Sequence, residues 1–252
     1  MRTRRIPFLC LAAGIALASA QAVAAHSAGT PFGIEGERAA NESTGISPKE
    51  REPAFLFPRV DPAQELRGES LIRALRSGGH VLYMRHTQTG AITPACTQSN
   101  LSPDGEREAR LVGESLRALR IPIDRILSSP VCRVADTAQL LGFGEFETTQ
   151  DLSNVAPGDG FDLDAARKAR ISSPLRRENA NTLMVGHMHA AGANENDWIR
   201  LDFGEIIVYK VQPGGPIPVA RIRANDWNFL RETAKAASRV ASDAQNYPVE
   251  KP

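Results

Sequence analysis

The sequence predicts an α/β domain, a three-layer sandwich with a mostly parallel central sheet flanked by helices. Two observations lead there. Short apolar runs such as His80–Arg85, Ile123–Ser128 and Asn181–Gly186 alternate with stretches of helical period. The helices between them are punctuated, by Gly78-Gly79 after one and by Ser102-Pro103 before the next. Strands separated by helices form a sheet covered on both faces.

Each element follows from local pattern. Pro62–Ser77 places Leu66, Leu71, Ile72 and Leu75 at helical spacing and stops at the glycine pair. His80–Arg85 is the first strand. Ser102 caps a helix that has Pro103 at its first position and runs to about Arg120, with Ala109, Val112, Leu116 and Leu119 on one face. Ile123–Ser128 is a short strand, and Val131–Leu141 a helix after the turn Ser128-Ser129-Pro130. Glu145–Thr149 reads as a strand, Asp162–Ala169 as a helix and Asn181–Gly186 as a buried strand. Ile206–Val211 and Val219–Arg223 are late strands joined through Pro213-Gly214-Gly215-Pro216, and Asn225 to about Ala236 closes the domain as a helix.

The ends differ from this core. Arg2, Arg4 and Arg5 precede a short apolar stretch, Ile6–Ala18, and small residues at Ala18-Ser19-Ala20 and Ala22-Val23-Ala24. That is the pattern of a cleavable signal peptide, residues 1–25, cut after Ala20, Ala24 or Ala25. The apolar stretch falls short of the roughly 20 residues that span a bilayer. The expected location is periplasmic or secreted. Residues 26–64 read as a flexible lead-in in which Phe55-Leu56-Phe57 can dock, and 237–252 as a polar tail. The domain proper is then 65–236. Losing the three arginines turns the formal net charge from +1 to −2. A protein so balanced is not expected to bind nucleic acid, so attraction for anions must be local. Only Cys96 and Cys132 remain after cleavage, and an oxidising compartment favours their pairing over two buried free thiols.

Three strand ends carry candidate chemistry. Arg85-His86 ends the first, where Thr87-Gln88-Thr89-Gly90 turns the chain. Ser128-Ser129-Pro130 ends the second, with Arg133 in the first turn of the following helix. Gly186-His187 ends a third. In open α/β sheets ligands sit outside the carboxyl ends of the strands. Two guanidiniums and a helix N-terminus can hold phosphate oxygens. One neutral imidazole can attack phosphorus, and a second, protonated, can stabilise the equatorial oxygens. Such a site requires no metal or other cofactor. The alternative roles are structural: Arg133 pairing with Asp136, His187 as a core histidine, or His187 and His189 as metal ligands.

At these residues the chain resembles the histidine phosphatase superfamily, with its phosphoglycerate-mutase-like fold. Gly78–His86, Leu101-Ser-Pro-Asp-Gly105, Ile126–Arg133 with Thr137-Ala138, and Thr182–His187 are similar to that family's four signatures in order and spacing. The resemblance implies that His86 is the phosphorylated nucleophile and that Arg85, Arg133 and His187 complete the phosphate pocket. It also extends to exported members such as lipopolysaccharide core heptose phosphatases. Thr89 joins the substrate-binding set. The substrate implied is a small-molecule or glycolipid phosphate ester. Thr87 stands where the family often has Gly, and Ile92 where it often has Asn. Met188 and Asn154 stand where its branches place an acidic proton donor. Asp151, Asp159 and Asp162 are nearby substitutes, Asp159 being favoured. A Cys96–Cys132 disulfide would tie the loop after His86 to the Arg133 helix. The competing function is an anion-binding module of the same fold without turnover.

Overall fold

The computed structural model describes residues 60–94, 96, 99–192 and 198–246. The expected signal peptide, Phe55–Phe57 and the last six residues lie outside them.

The elements in chain order are α1 (Gly68–Ser77), β1 (His80–Arg85), α2 (Pro103–Ala118), β2 (Ile123–Ser128), α3 (Cys132–Leu140), β3 (Glu147–Thr148), α4 (Leu163–Ile171) and β4 (Asn181–Gly186). After them come β5 (His189–Ala191), β6 (Trp198–Arg200), β7 (Ile206–Gln212), β8 (Gly215–Ile222) and α5 (Asp226–Asn246). The six-stranded sheet has the order β3-β2-β4-β1-β7-β8. The pairs from β3 to β1 are parallel, whereas β7 runs antiparallel to both its neighbours. The carboxyl ends of β1, β2, β3 and β4 therefore share one edge.

Alternation along the strands makes two cores. Leu82, Met84, Leu183 and Val185 pack under α1, α2, α3 and α5, through residues such as Leu75, Leu116, Val134 and Trp227. Val81, Tyr83, Met184 and Tyr209 face the other way, onto Ile171 of α4 and the β5–β6 hairpin. This is the mixed, mostly parallel three-layer arrangement that the strand–helix alternation predicted.

At the amino edge one side chain ties several elements. The fully buried Asn181 donates from Nδ2 to the Leu75 and Pro122 carbonyls, at 2.8 and 2.9 Å. Its Oδ1 accepts the His80 N–H at 3.2 Å. One amide so joins the end of α1, the start of β1 and the chain entering β2.

Several boundaries differ from expectation. Pro62–Gln64 is a turn, and α1 begins only at Gly68. The first strand, the second and the one at Asn181–Gly186 have the expected limits. The α2 helix stops at Ala118, because Arg120 takes a positive φ of 56° ahead of Pro122. The second half of the late hairpin starts early, at Gly215, around the tight turn Pro213-Gly214. The closing helix continues to Asn246, ten residues beyond the expected end. The β5–β6 hairpin had no counterpart in the sequence reading. No helix among the described residues is long and apolar enough to cross a membrane.

Candidate active site

Strand ends bring the four principal residues together. His86 and His187 follow β1 and β4, which are hydrogen-bonded neighbours. Their rings stand 5.6 Å apart between centroids, in an edge-on arrangement. Arg133, in the first turn of α3, spans them. Its Nε donates to His86 Nε2 at 3.2 Å, and its Nη2 lies 3.5 Å from His187 Nδ1. Arg85 leaves β1 beside His86, where its Nη1 donates to the Leu201 carbonyl at 2.9 Å. The Arg85 guanidinium also lies 3.9 Å above the Phe203 ring, and Phe203 is 5.5 Å from His86.

The partners fix the tautomers. Arginine only donates, so the His86 nitrogen facing Arg133 Nε must carry a lone pair. The His86 proton then sits on Nδ1, which donates to the Thr87 carbonyl at 2.9 Å. His86 is thus held as a neutral imidazole with the Nε2 lone pair turned toward the arginine. By the same reasoning His187 carries its proton on Nε2, donated to Ser129 Oγ at 3.2 Å.

Two side chains beneath the site set its registry. Thr137 Oγ1 donates to the Arg133 carbonyl at 2.7 Å and accepts the Thr87 N–H at 3.3 Å. It therefore couples the nucleophile's loop to the helix bearing Arg133. The fully buried Tyr83 hydroxyl accepts the His187 N–H at 3.2 Å. A Cβ at Gly186 would fall 2.3 Å from that hydroxyl, so only glycine allows the contact. Thr87, although not the family's usual glycine, is fully buried and still supplies the carbonyl that His86 needs.

Burial and like charge keep both histidines neutral. Desolvation, then Arg133 and Arg85, pull the His86 pKa down to about 4, against the Thr87 carbonyl, which raises it. His187 is lowered further, by burial first and then by His86, Arg133, Arg167 and Arg85. No carboxylate figures among the causes at either ring. The local field is cationic although the whole chain is near neutral.

Not every expected residue joins the cluster. Thr89 lies in the loop after β1, where its backbone bridges Leu101, and no hydrogen bond links it to the four residues above. Asp151 pairs with Arg170 at 2.5 Å, and Asp162 caps α4 by accepting the Asp164 and Ala165 N–H groups. Asp159 is exposed on the loop before α4, and among the described residues no hydrogen bond or ion pair joins it to either histidine. Arg133 turns to the histidines rather than to Asp136. No group of three or more metal-ligating side chains occurs among the described residues. The reading from sequence missed Phe203 and Leu201, which have no local signature. Ser129 and Thr137 sat inside recognised motifs, but nothing in the motifs assigned them partners.

Cys96 and Cys132 form a disulfide, with Cα atoms 6.1 Å apart. It joins the loop after His86 to the residue preceding Arg133. The bridge closes a 36-residue separation, which in the chain-entropy model contributes about 4 kcal/mol. A Cys96→Ser, Cys132→Ser double variant is expected to lose about 3–4 kcal/mol in urea unfolding. A loss below about 1 kcal/mol would contradict that role for the bridge.

This geometry defines a class: a mixed α/β protein with paired histidines and arginines at the carboxyl edge of its sheet. Residues 81–170 match the model of the histidine phosphatase superfamily (branch 1). The matched segment runs from β1 through most of α4 and holds Arg85, His86 and Arg133, so the superfamily the motifs implied is supported over that stretch. No curated protein matches the chain. Among solved structures, it is similar to the protein histidine phosphatase SixA complexed with tungstate. That pair is 18% identical over 58% of this chain and 98% of the other, with a TM-score of 0.48. It is also similar to phosphoserine phosphatase in complex with 3-phosphoglyceric acid from Entamoeba histolytica. Here identity is 19% over 57% of this chain and 96% of the other, with a TM-score of 0.41.

Proposed function

We propose that the protein is an exported phosphatase that hydrolyses a phosphomonoester through a phosphohistidine on His86. The observation that carries this reading is the His86 ring itself. Its Nδ1–H is pinned to the Thr87 carbonyl, and its Nε2 lone pair faces the guanidinium that would hold the phosphate. A phosphoryl group has more to offer Arg133 than an imidazole lone pair does, because its oxygens are anionic. Binding would turn Arg133 onto those oxygens and release Nε2 for attack. Nε2 forms a bond to phosphorus as the bond to the ester oxygen breaks, and the leaving alkoxide takes up a proton from solvent water, which is returned to solvent when water attacks in the next step. Water then attacks phosphorus, which gives inorganic phosphate and restores the imidazole. Arg85 and Arg133 stabilise the equatorial oxygens in both steps, joined by His187, which is neutral in the ligand-free site and takes up a proton when the bound anion raises its pKa. The steps require no metal.

Export is supported by the basic, apolar and small-residue pattern of residues 1–25 and by the Cys96–Cys132 bridge, which suits an oxidising compartment. Within the superfamily we place the chain near the exported enzymes that act on lipopolysaccharide core heptose phosphates, on the strength of the sequence resemblance. Enzyme quenched during turnover of phenyl phosphate is expected to carry one acid-labile, base-stable phosphoryl group. Absence of both turnover and that adduct would reject the phosphatase and favour the anion-binding module.

A further inference from the structure

The β5–β6 hairpin continues outward from the phosphate pocket. The Leu201 N–H donates to the Met188 carbonyl at 2.8 Å, and the same Leu201 offers its carbonyl to Arg85. The next rung of this ladder pairs His189 with Arg200. Directly opposed residues of an antiparallel pair project from the same face. His189 and Arg200 therefore stand side by side, two residues beyond His187 on one strand and one before Leu201 on the other. Two residues span at most about 7 Å between Cα atoms, and less here, where the chain bends at Met188.

Both side chains are exposed, and neither has a hydrogen-bond or ion-pair partner among the described residues. The Arg200 backbone is fixed, since its carbonyl accepts from Arg221 Nη2 at 2.9 Å. Arg221 is itself paired with the buried Glu205, whose carbonyl receives the Arg85 N–H. The two positions are thus anchored to the same turn that holds Arg85. The charges are close enough to interact: Arg200 acts on both Arg85 and His189. On the far side of the hairpin face, Lys168 Nζ lies 4.8 Å from the Trp198 ring centroid. Arg200 is the standing cation of the pair; burial first, then Arg167, holds the His189 ring below its usual pKa, against Asp164, which raises it. An anion seated beside Arg200 and His189 would gain the guanidinium as a partner and raise the imidazole's pKa.

We propose that His189 and Arg200 form a second anion subsite, which selects phosphate esters bearing another anionic group, carboxylate or phosphoryl, within about 7 Å of phosphorus. This rests on the phosphatase reading only in taking the second anion to belong to the substrate. Phosphonates test it without turnover. Calorimetric binding of phenylphosphonate is compared with that of 4-phosphonobenzoate and 1,4-phenylenediphosphonate, which separate a carboxylate from a second phosphoryl group. At least one diacid is expected to bind about tenfold or more tightly than phenylphosphonate. That preference should fall below about threefold in Arg200→Ala and be partly kept in Arg200→Lys. Equal binding of all three by the wild-type protein overturns the subsite. So does a preference that survives in both Arg200→Ala and His189→Ala. Hydrolysis of phenyl phosphate, assayed in parallel, judges the phosphatase reading separately: turnover without diacid preference sinks the subsite alone, and preference without turnover sinks the phosphatase alone.

Discussion

Replacing His86 by Asn is expected to lower kcat for phenyl phosphate by at least about 10⁴-fold, because the covalent route is lost rather than weakened. Asn is close in size and keeps a polar group toward the Thr87 carbonyl, so the fold should survive. Arg133→Ala should cost less, about 10²–10³-fold, the usual effect of removing one donor from a preorganised oxyanion site. The order of the two effects discriminates. Arg133 contacts both rings, at 3.2 Å and 3.5 Å. If Arg133 did no more than orient His86, both variants would fall to the same rate. If His86→Asn retained rates within about tenfold of wild type, nucleophilic catalysis by His86 would be excluded.

Acid should destabilise the ligand-free protein in a window set by the two histidines. Each folded-state pKa lies below the unfolded value of 6.5, at about 4 for His86 and lower for His187. Between those values and 6.5 the unfolded chain binds more protons than the folded one, so stability rises with pH there. Their contribution is complete above about pH 6.5 and is lost progressively as pH falls toward 4 and below. The thermal midpoint should accordingly drop from pH 7 to pH 4.5, and drop less in a His86→Asn, His187→Asn variant. Equal slopes for the two proteins would remove the histidines as the cause. Sulfate, a dianion at both values, should stabilise the wild type more at pH 5 than at pH 7. An anion beside the rings raises their pKa and lets them take up protons in the folded state.

The fold was legible wherever apolar runs were buried. His80–Arg85, Ile123–Ser128 and Asn181–Gly186 are the inner parallel strands; the first and last are covered along nearly their whole length and carry unbroken apolar runs, whereas Ile123–Ser128 is buried only in its second half, Ile126–Ser128. The β5–β6 hairpin was illegible because strands of three residues, His189–Ala191 and Trp198–Arg200, are too short to show a period. The end of α5 was hidden for another reason. Beyond Ala236 its described residues are largely exposed, so a polar composition that reads as a tail is also that of a solvated helix.

The site divides along the same line. Arg85, His86, Arg133 and His187 each sit at or one residue beyond a strand end, or in a first helical turn, where position follows from the element. Phe203 and Leu201 come from a turn more than a hundred residues downstream, brought to Arg85 by the antiparallel return of β7. Thr89 and Asp159 were chosen for nearness in sequence. Loops do not conserve direction as strands do, and neither residue bonds to the histidines.

The Asn181 amide has a consequence for how such a protein can change. It fastens α1, β1 and the approach to β2 at the edge of the sheet opposite the histidines. That clamp lies where no chemistry occurs, and it is separate from the Cys96–Cys132 bridge and the Thr137 hydroxyl that tie the loop after His86 to α3. Loops leaving the far edge can lengthen, shorten or exchange residues without loosening that clamp. Substrate range is therefore free to drift through those loops while the spacing of the strands that aim His86 and His187 is inherited unchanged.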